Sequence, residues 1–140
     1  MKFAKRLCTE KATESIATAG PALDWGYVPA GQDRKAKLLS PCFADKEELP
    51  KWICMIGAQH DMLSREARDM IFSLAGKRVP DSGWDQGFEH GAYKWVFVKG
   101  VRHGFTDEFR KRSQNSEARR KICNDTYASI HSWLREKVLV

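Results

Sequence analysis

A chain of 140 residues, 42% hydrophobic with five tryptophans, has the length of one domain and enough apolar mass for a core. It holds no low-complexity tract, no internal repeat and no apolar run of about 18 residues, which excludes a solenoid, a linker and a membrane-spanning helix. A net charge of +6 raises the question of a polyanionic partner. The basic clusters Arg34-Lys35-Ala36-Lys37, Arg110-Lys111-Arg112 and Arg119-Arg120-Lys121 could line a phosphate-binding stripe. No zinc-finger or aromatic ribonucleoprotein motif accompanies them, so they read first as solvated loop and helix faces.

Compartment and cofactors follow from what the termini, cysteines and histidines do not spell. Met1 to Leu7 mixes charged and apolar residues and lacks the continuous apolar stretch of a secretory signal. Lys2, Lys5, Arg6 and Lys11 would suit a mitochondrial presequence, but Glu10 and Glu14 oppose it, and a cytoplasmic location is expected. Cys8, Cys42, Cys54 and Cys123 show no paired spacing, and His60, His90, His103 and His131 are scattered. Neither a disulfide framework nor a structural metal site is expected, and no organic cofactor is implied.

In chain order, Phe3, Leu7, Cys8, Ala12, Ile16 and Ala19 recur at helical spacing, predicting an N-terminal helix over residues 2–19 that Gly20-Pro21 would stop. Residues 22–50, with Pro29, Gly31, Pro41 and Pro50, read as loop with short helical turns, anchored by Trp25 and Tyr27. Trp52 to Gly57 is a near-continuous apolar run of strand length, as in a strand buried on both faces. A helix should follow from Ser64 as its cap, with Leu63, Ala67, Met70, Ile71 and Leu74 on one face and Gly76 at its end. Residues 77–91, with Pro80, Gly83, Gly87 and Gly91, read as a long surface loop.

Tyr93 to Val98, aromatic and β-branched, predicts a second strand, and Lys99 to Phe105 a loop carrying His103. A last helix spans residues 116–138, with Ile122, Cys123, Tyr127, Ile130, Trp133, Leu134 and Val138 inward. The order strand, helix, strand, helix makes the fold class α/β, with the two strands parallel neighbours joined by a right-handed crossover. Sites in such sheets gather beyond the C-terminal ends of the strands, and Asp61 and His103 both fall there. An acid beside a histidine at one sheet edge is how a hydrolase holds its general base: the carboxylate fixes the tautomer, and the far ring nitrogen moves the proton. Each residue taken singly also has an ordinary reading, Asp61 as a loop acid capping the next helix and His103 as a loop histidine satisfied by backbone.

Leu38-Leu39-Ser40-Pro41, Leu49-Pro50, Ile56-Gly57-Ala58-Gln59-His60-Asp61-Met62-Leu63 and Val101-Arg102-His103-Gly104-Phe105 resemble the C-terminal half of α/β-hydrolases. The nearest branch is the esterase/lipase group akin to hormone-sensitive lipase, and Asp24-Trp25-Gly26-Tyr27-Val28-Pro29-Ala30-Gly31-Gln32-Asp33 is similar to the preceding segment of fungal-type members. The likeness covers residues 22–140 and leaves residues 1–21 outside it. It implies a partial α/β-hydrolase fold, the last two parallel strands with flanking helices, with Asp61 as triad acid and His103 as triad base. It also implies small-molecule ester substrates. The family's G-x-S-x-G nucleophile turn and its H-G-G-G-type oxyanion loop do not occur; Ser15 has no flanking glycines, and no cysteine sits between elbow glycines.

Three functions therefore compete at this point. The chain is the C-terminal portion of a serine hydrolase, inactive alone; or a non-catalytic remnant that binds a ligand or partner chain; or a small basic nucleic-acid-binding protein. The first two share a consequence. The strand at Trp52–Gly57 expects neighbours on both sides and the chain offers one, so an exposed sheet edge, prone to self-association, is expected.

Overall fold

The structure is a computed structural model that describes residues 22, 26–83, 85–106 and 116–137. The predicted helix over residues 2–19, Gly20-Pro21, Trp25, Arg110-Lys111-Arg112 and Val138 lie outside the described residues. Two short 3-10 turns, Pro41–Phe43 and Lys46–Glu48, lead into strand β1 (Ile53–His60), helix α1 (Ser64–Leu74), strands β2 (Phe88–His90) and β3 (Tyr93–Arg102), and helix α2 (Ser116–Lys137). The class is α/β. Three strands form one mixed sheet in the order β1-β3-β2, with β1 parallel and β2 antiparallel to β3.

Period-two alternation along β3 sorts its side chains onto two helices. Tyr93 and Trp95 are buried with Ile71, Phe72 and Ala75 of α1 and its end, and Phe97 packs beside them. The opposite face carries Val98, buried with Ala58, Val101 and Phe105, and Val96 and, from α2, Ile122 pack against that cluster. Lys94 on that same face reaches the Ser129 carbonyl of α2 at 3.3 Å and Glu89 of β2 at 3.7 Å. Among the described residues Trp95, 1% exposed on the central strand, is the largest wholly buried side chain. The ring of Trp52, just before β1, meets Trp133 of α2 edge-on at 6.2 Å.

Gly57 does not end β1, as the sequence suggested; the strand continues through Ala58, Gln59 and His60. Its lack of a side chain serves packing instead. A Cβ there would fall on Trp95 Cη2 and Ser64 Oγ, and within 2.8 Å of Trp95 Cζ2. Glycine is what lets the indole of the central strand cross its neighbour.

Several other expectations are corrected. Ser64 is the first helical residue of α1 and is buried, while Leu63 holds the cap position. The stop at Gly76 is where expected: with φ +64° it lets Lys77 N–H bond to Phe72 O at 2.9 Å and Gly76 N–H to Ser73 O at 3.0 Å, closing the helix end. The loop of residues 77–91 contains β2, which turns into β3 through Gly91-Ala92. Tyr27, read as a packed anchor, is 77% exposed. On α2 the inward stripe is Cys123, Thr126 and Trp133, and Tyr127 and Leu134 face outward. Thr126 enters that stripe because its hydroxyl donates to the Ile122 carbonyl at 2.8 Å, so its own burial leaves that hydroxyl satisfied.

Before β1, Lys37 holds the 3-10 segment together by donating to Asp45 at 2.8 Å and Glu48 at 2.6 Å. The hydrogen bonds to Asp45, then Glu48, push the lysine up to about 12, and the lysine holds both carboxyls below their usual range. Because the carboxylate values are lowered on folding, what they contribute is present at neutral pH and lost as pH falls through those lowered values. The lysine's share persists until pH climbs through about 12. A carboxyl-carbon NMR titration is expected to place Asp45 and Glu48 below ordinary carboxylates, and Lys37→Met to raise both. Unchanged titrations in the variant would mean that the lysine does not organise the segment.

Among the described residues no helix is long and apolar enough to cross a membrane. Among the described residues β1 pairs only with β3, and Ile56 on the face away from α1 is 38% exposed.

Candidate functional site

Asp61 is the first residue after β1 and His103 the first after β3, and the two strands run parallel, so both stand at one edge of the sheet. Asp61 N–H donates to Ala58 O at 3.1 Å, which turns the chain out of the strand. Its Oδ1 accepts from Leu63 N–H at 2.8 Å, and its carbonyl accepts from Ser64 N–H at 3.2 Å. Asp61 thus does the work expected of Ser64: it meets amide donors that a helix start leaves free. That accounts for Oδ1. It does not account for Oδ2, which lies 2.9 Å from His103 Nδ1.

His103 is held from the other side. Phe105 N–H donates to Arg102 O at 3.2 Å, closing a tight turn over Arg102–Phe105, and Gly104 within it has φ +70°. A third turn residue at positive φ demands glycine, which explains the His-Gly pair. Phe105, 9% exposed, pins the turn against Ala58, Val98 and Val101. The ring is therefore carried on a short turn between a strand end and a buried aromatic.

The two side chains differ in access: Asp61 is 12% exposed and His103 41%. A carboxylate facing Nδ1 selects the tautomer with the proton on Nδ1, so Nε2 of the neutral ring keeps its lone pair for an incoming proton. A shielded acid, an oriented ring and an acceptor nitrogen are what general-base chemistry requires.

Among the described residues no serine or threonine hydroxyl is hydrogen-bonded to His103. Ser40 donates to Arg34 O at 2.7 Å, Thr126 to Ile122 O, and Ser64 Oγ is buried without a partner. Cys54 offers no substitute, since burial pushes its thiol up and only the charge of Lys94 opposes this. His60, the last residue of β1, pairs in register with Arg102; His90 lies in β2 and His131 is exposed on α2. No group of three or more His, Cys, Asp or Glu that could hold a metal ion occurs among the described residues.

Among the described residues two hollows lie elsewhere, and neither includes Asp61 or His103. The larger, about 670 Å³, sits at the opposite end of the sheet between Lys46, Leu74, His90 and Tyr93. The smaller, about 320 Å³, lies along β2, β3 and Ser129 of α2. The site is thus an edge feature, defined by two side chains and the turns that carry them.

Sequence reasoning missed two residues here, Gln59 and Gly100. Gly100 N–H donates to Gln59 Oε1 at 2.8 Å, next to an interruption in the β1–β3 pairing between Ala58 and His60. A glycine inside a strand-like run, Lys99-Gly100-Val101, was the available signal for that irregularity. Comparison with protein-family models, with curated proteins and with solved structures finds no match.

Proposed function

We propose that this chain is the C-terminal portion of a serine hydrolase of the α/β-hydrolase, esterase/lipase type, supplying the acid Asp61 and the base His103. The observation that carries the proposal is the 2.9 Å contact of Asp61 Oδ2 with His103 Nδ1 beyond the ends of adjacent parallel strands. In this reading the serine lies in polypeptide outside the present sequence. His103 Nε2 takes the proton from that hydroxyl as its oxygen attacks the ester carbonyl. It then returns the proton to the alkoxide that leaves, giving an acyl-enzyme that water resolves by the same exchange. Asp61 stays ionised throughout and stabilises the imidazolium.

By itself the chain is expected to turn over p-nitrophenyl butyrate no faster than a serine-free control, and to take no fluorophosphonate label. A base with no hydroxyl to activate has no covalent route. Turnover that is lost on His103→Ala, with a label on Ser40 or Ser64, would overturn the assignment of the nucleophile to another polypeptide.

A further inference from the structure

We infer that a bulge in β3, held shut by the Gln59 side chain, is the register device that brings His103 level with Asp61. The inference rests on reading Asp61 and His103 as an acid–base pair. Up to Ala58 and Val98 the two strands pair residue for residue, and pairing resumes at His60 with Arg102. β1 takes two steps between those points and β3 takes four, so β3 spends two extra residues inside Lys99–Val101. One step beyond the last pair, Asp61 stands beside His103.

Extending the earlier register without the bulge gives a different neighbour. Lys99 would then face Gln59, Gly100 would face His60, and Val101 would face Asp61. His103 would lie two residues further along, roughly 6–7 Å at the rise of a strand, out of reach of the carboxylate. The bulge converts a mismatched pair of strand lengths into a matched pair of side chains.

Bulges leave an amide without its ladder partner. Here the orphan is Gly100 N–H, and Gln59 Oε1 accepts it at 2.8 Å across 41 residues of sequence. Gly100 takes φ +73°, so the excursion bends back on itself within a few residues. Val101, 6% exposed, returns the chain to the core beside Ala58 and Val98. Gln59 is thereby a positioning residue: it touches neither His103 nor Asp61 in the described bonds, yet it closes the segment whose length decides whether they meet.

The test is the tautomer of the neutral His103 ring, read by nitrogen-15 NMR on the full chain. Wild type is expected to show mostly the Nδ1–H form, because Asp61 accepts there. Gln59→Met removes the acceptor at similar size and is expected to shift the ring toward the Nε2–H form that free histidine favours. Gln59→Glu keeps an acceptor oxygen and is expected to retain the wild-type tautomer. Gly100→Val attacks the bulge from the other strand and should reproduce the Met variant, with near-UV dichroism of the buried Trp95 reporting that the core is intact. An unchanged tautomer in both Gln59→Met and Gly100→Val overturns the register device while leaving the acid–histidine pair standing. If Asp61→Asn also leaves the tautomer unchanged, the pair itself falls, and the proposed function with it.

Discussion

Gly57→Ala is expected to destabilise the protein by about 3 kcal/mol, at the upper end of ordinary overpacking. The added carbon has no room, because Trp95 Cη2 and Ser64 Oγ already occupy its place. Neither neighbour can step aside cheaply. Trp95 is 1% exposed on the central strand, and Ser64 is buried in the first turn of α1. Trp95→Ala is expected to cost about 3–5 kcal/mol by the separate route of an unfilled cavity. The two changes should not add: with the indole gone, most of the clash at Gly57 is relieved. A double-mutant cycle in urea is expected to give a coupling of about 1–3 kcal/mol of relief. Simple additivity would mean that the ring does not cross the glycine as described.

In a completed hydrolase, Asp61→Asn is expected to lower kcat by on the order of 10⁴ while leaving KM nearly unchanged. The amide is almost the same size as the carboxylate and still offers an oxygen to Leu63 N–H, so the start of α1 should survive. What it cannot do is hold the Nδ1–H tautomer or stabilise the imidazolium. His103→Ala should cost at least as much, and the double variant little more than either alone, because the residues act as one unit. Equal losses in stability and rate for Asp61→Asn would point instead to Asp61 as a helix cap and nothing more.

How far these positions were legible depends on the range of the interaction that fixes them. The β1 and β3 cores were visible because Ile53-Cys54-Met55-Ile56 and Tyr93-Lys94-Trp95-Val96-Phe97-Val98 carry the apolar and β-branched weight of strands. Their ends were not, because Ala58-Gln59-His60 and Lys99-Gly100-Val101-Arg102 carry mixed small, polar and charged residues that local pattern reads as loop. β2 escaped notice since Phe88-Glu89-His90 has no independent preference and becomes a strand only by pairing with β3. Gly57 was read as a terminator, the common local meaning of glycine, when its cause is a ring more than thirty residues away.

The candidate site divides along the same line. Asp61 and His103 could be picked out because each falls a few residues past a recognisable strand core. Gln59 could not, because its role is one hydrogen bond to an amide 41 residues distant. On α2, helical spacing named Cys123 and Trp133 correctly but ranked Tyr127 and Leu134 above Thr126. Hydrophobicity alone does not register that a threonine can satisfy its hydroxyl on its own helix and go inside.

On the proposed function, Asp61 and His103 serve a serine supplied by polypeptide outside this sequence. Joining the chain to the polypeptide encoded immediately upstream and treating the product with a fluorophosphonate tests this most directly. One labelled serine is expected, within G-x-S-x-G and outside residues 1–140, with labelling abolished by His103→Ala. No labelled serine, or labelling indifferent to His103→Ala, would contradict it.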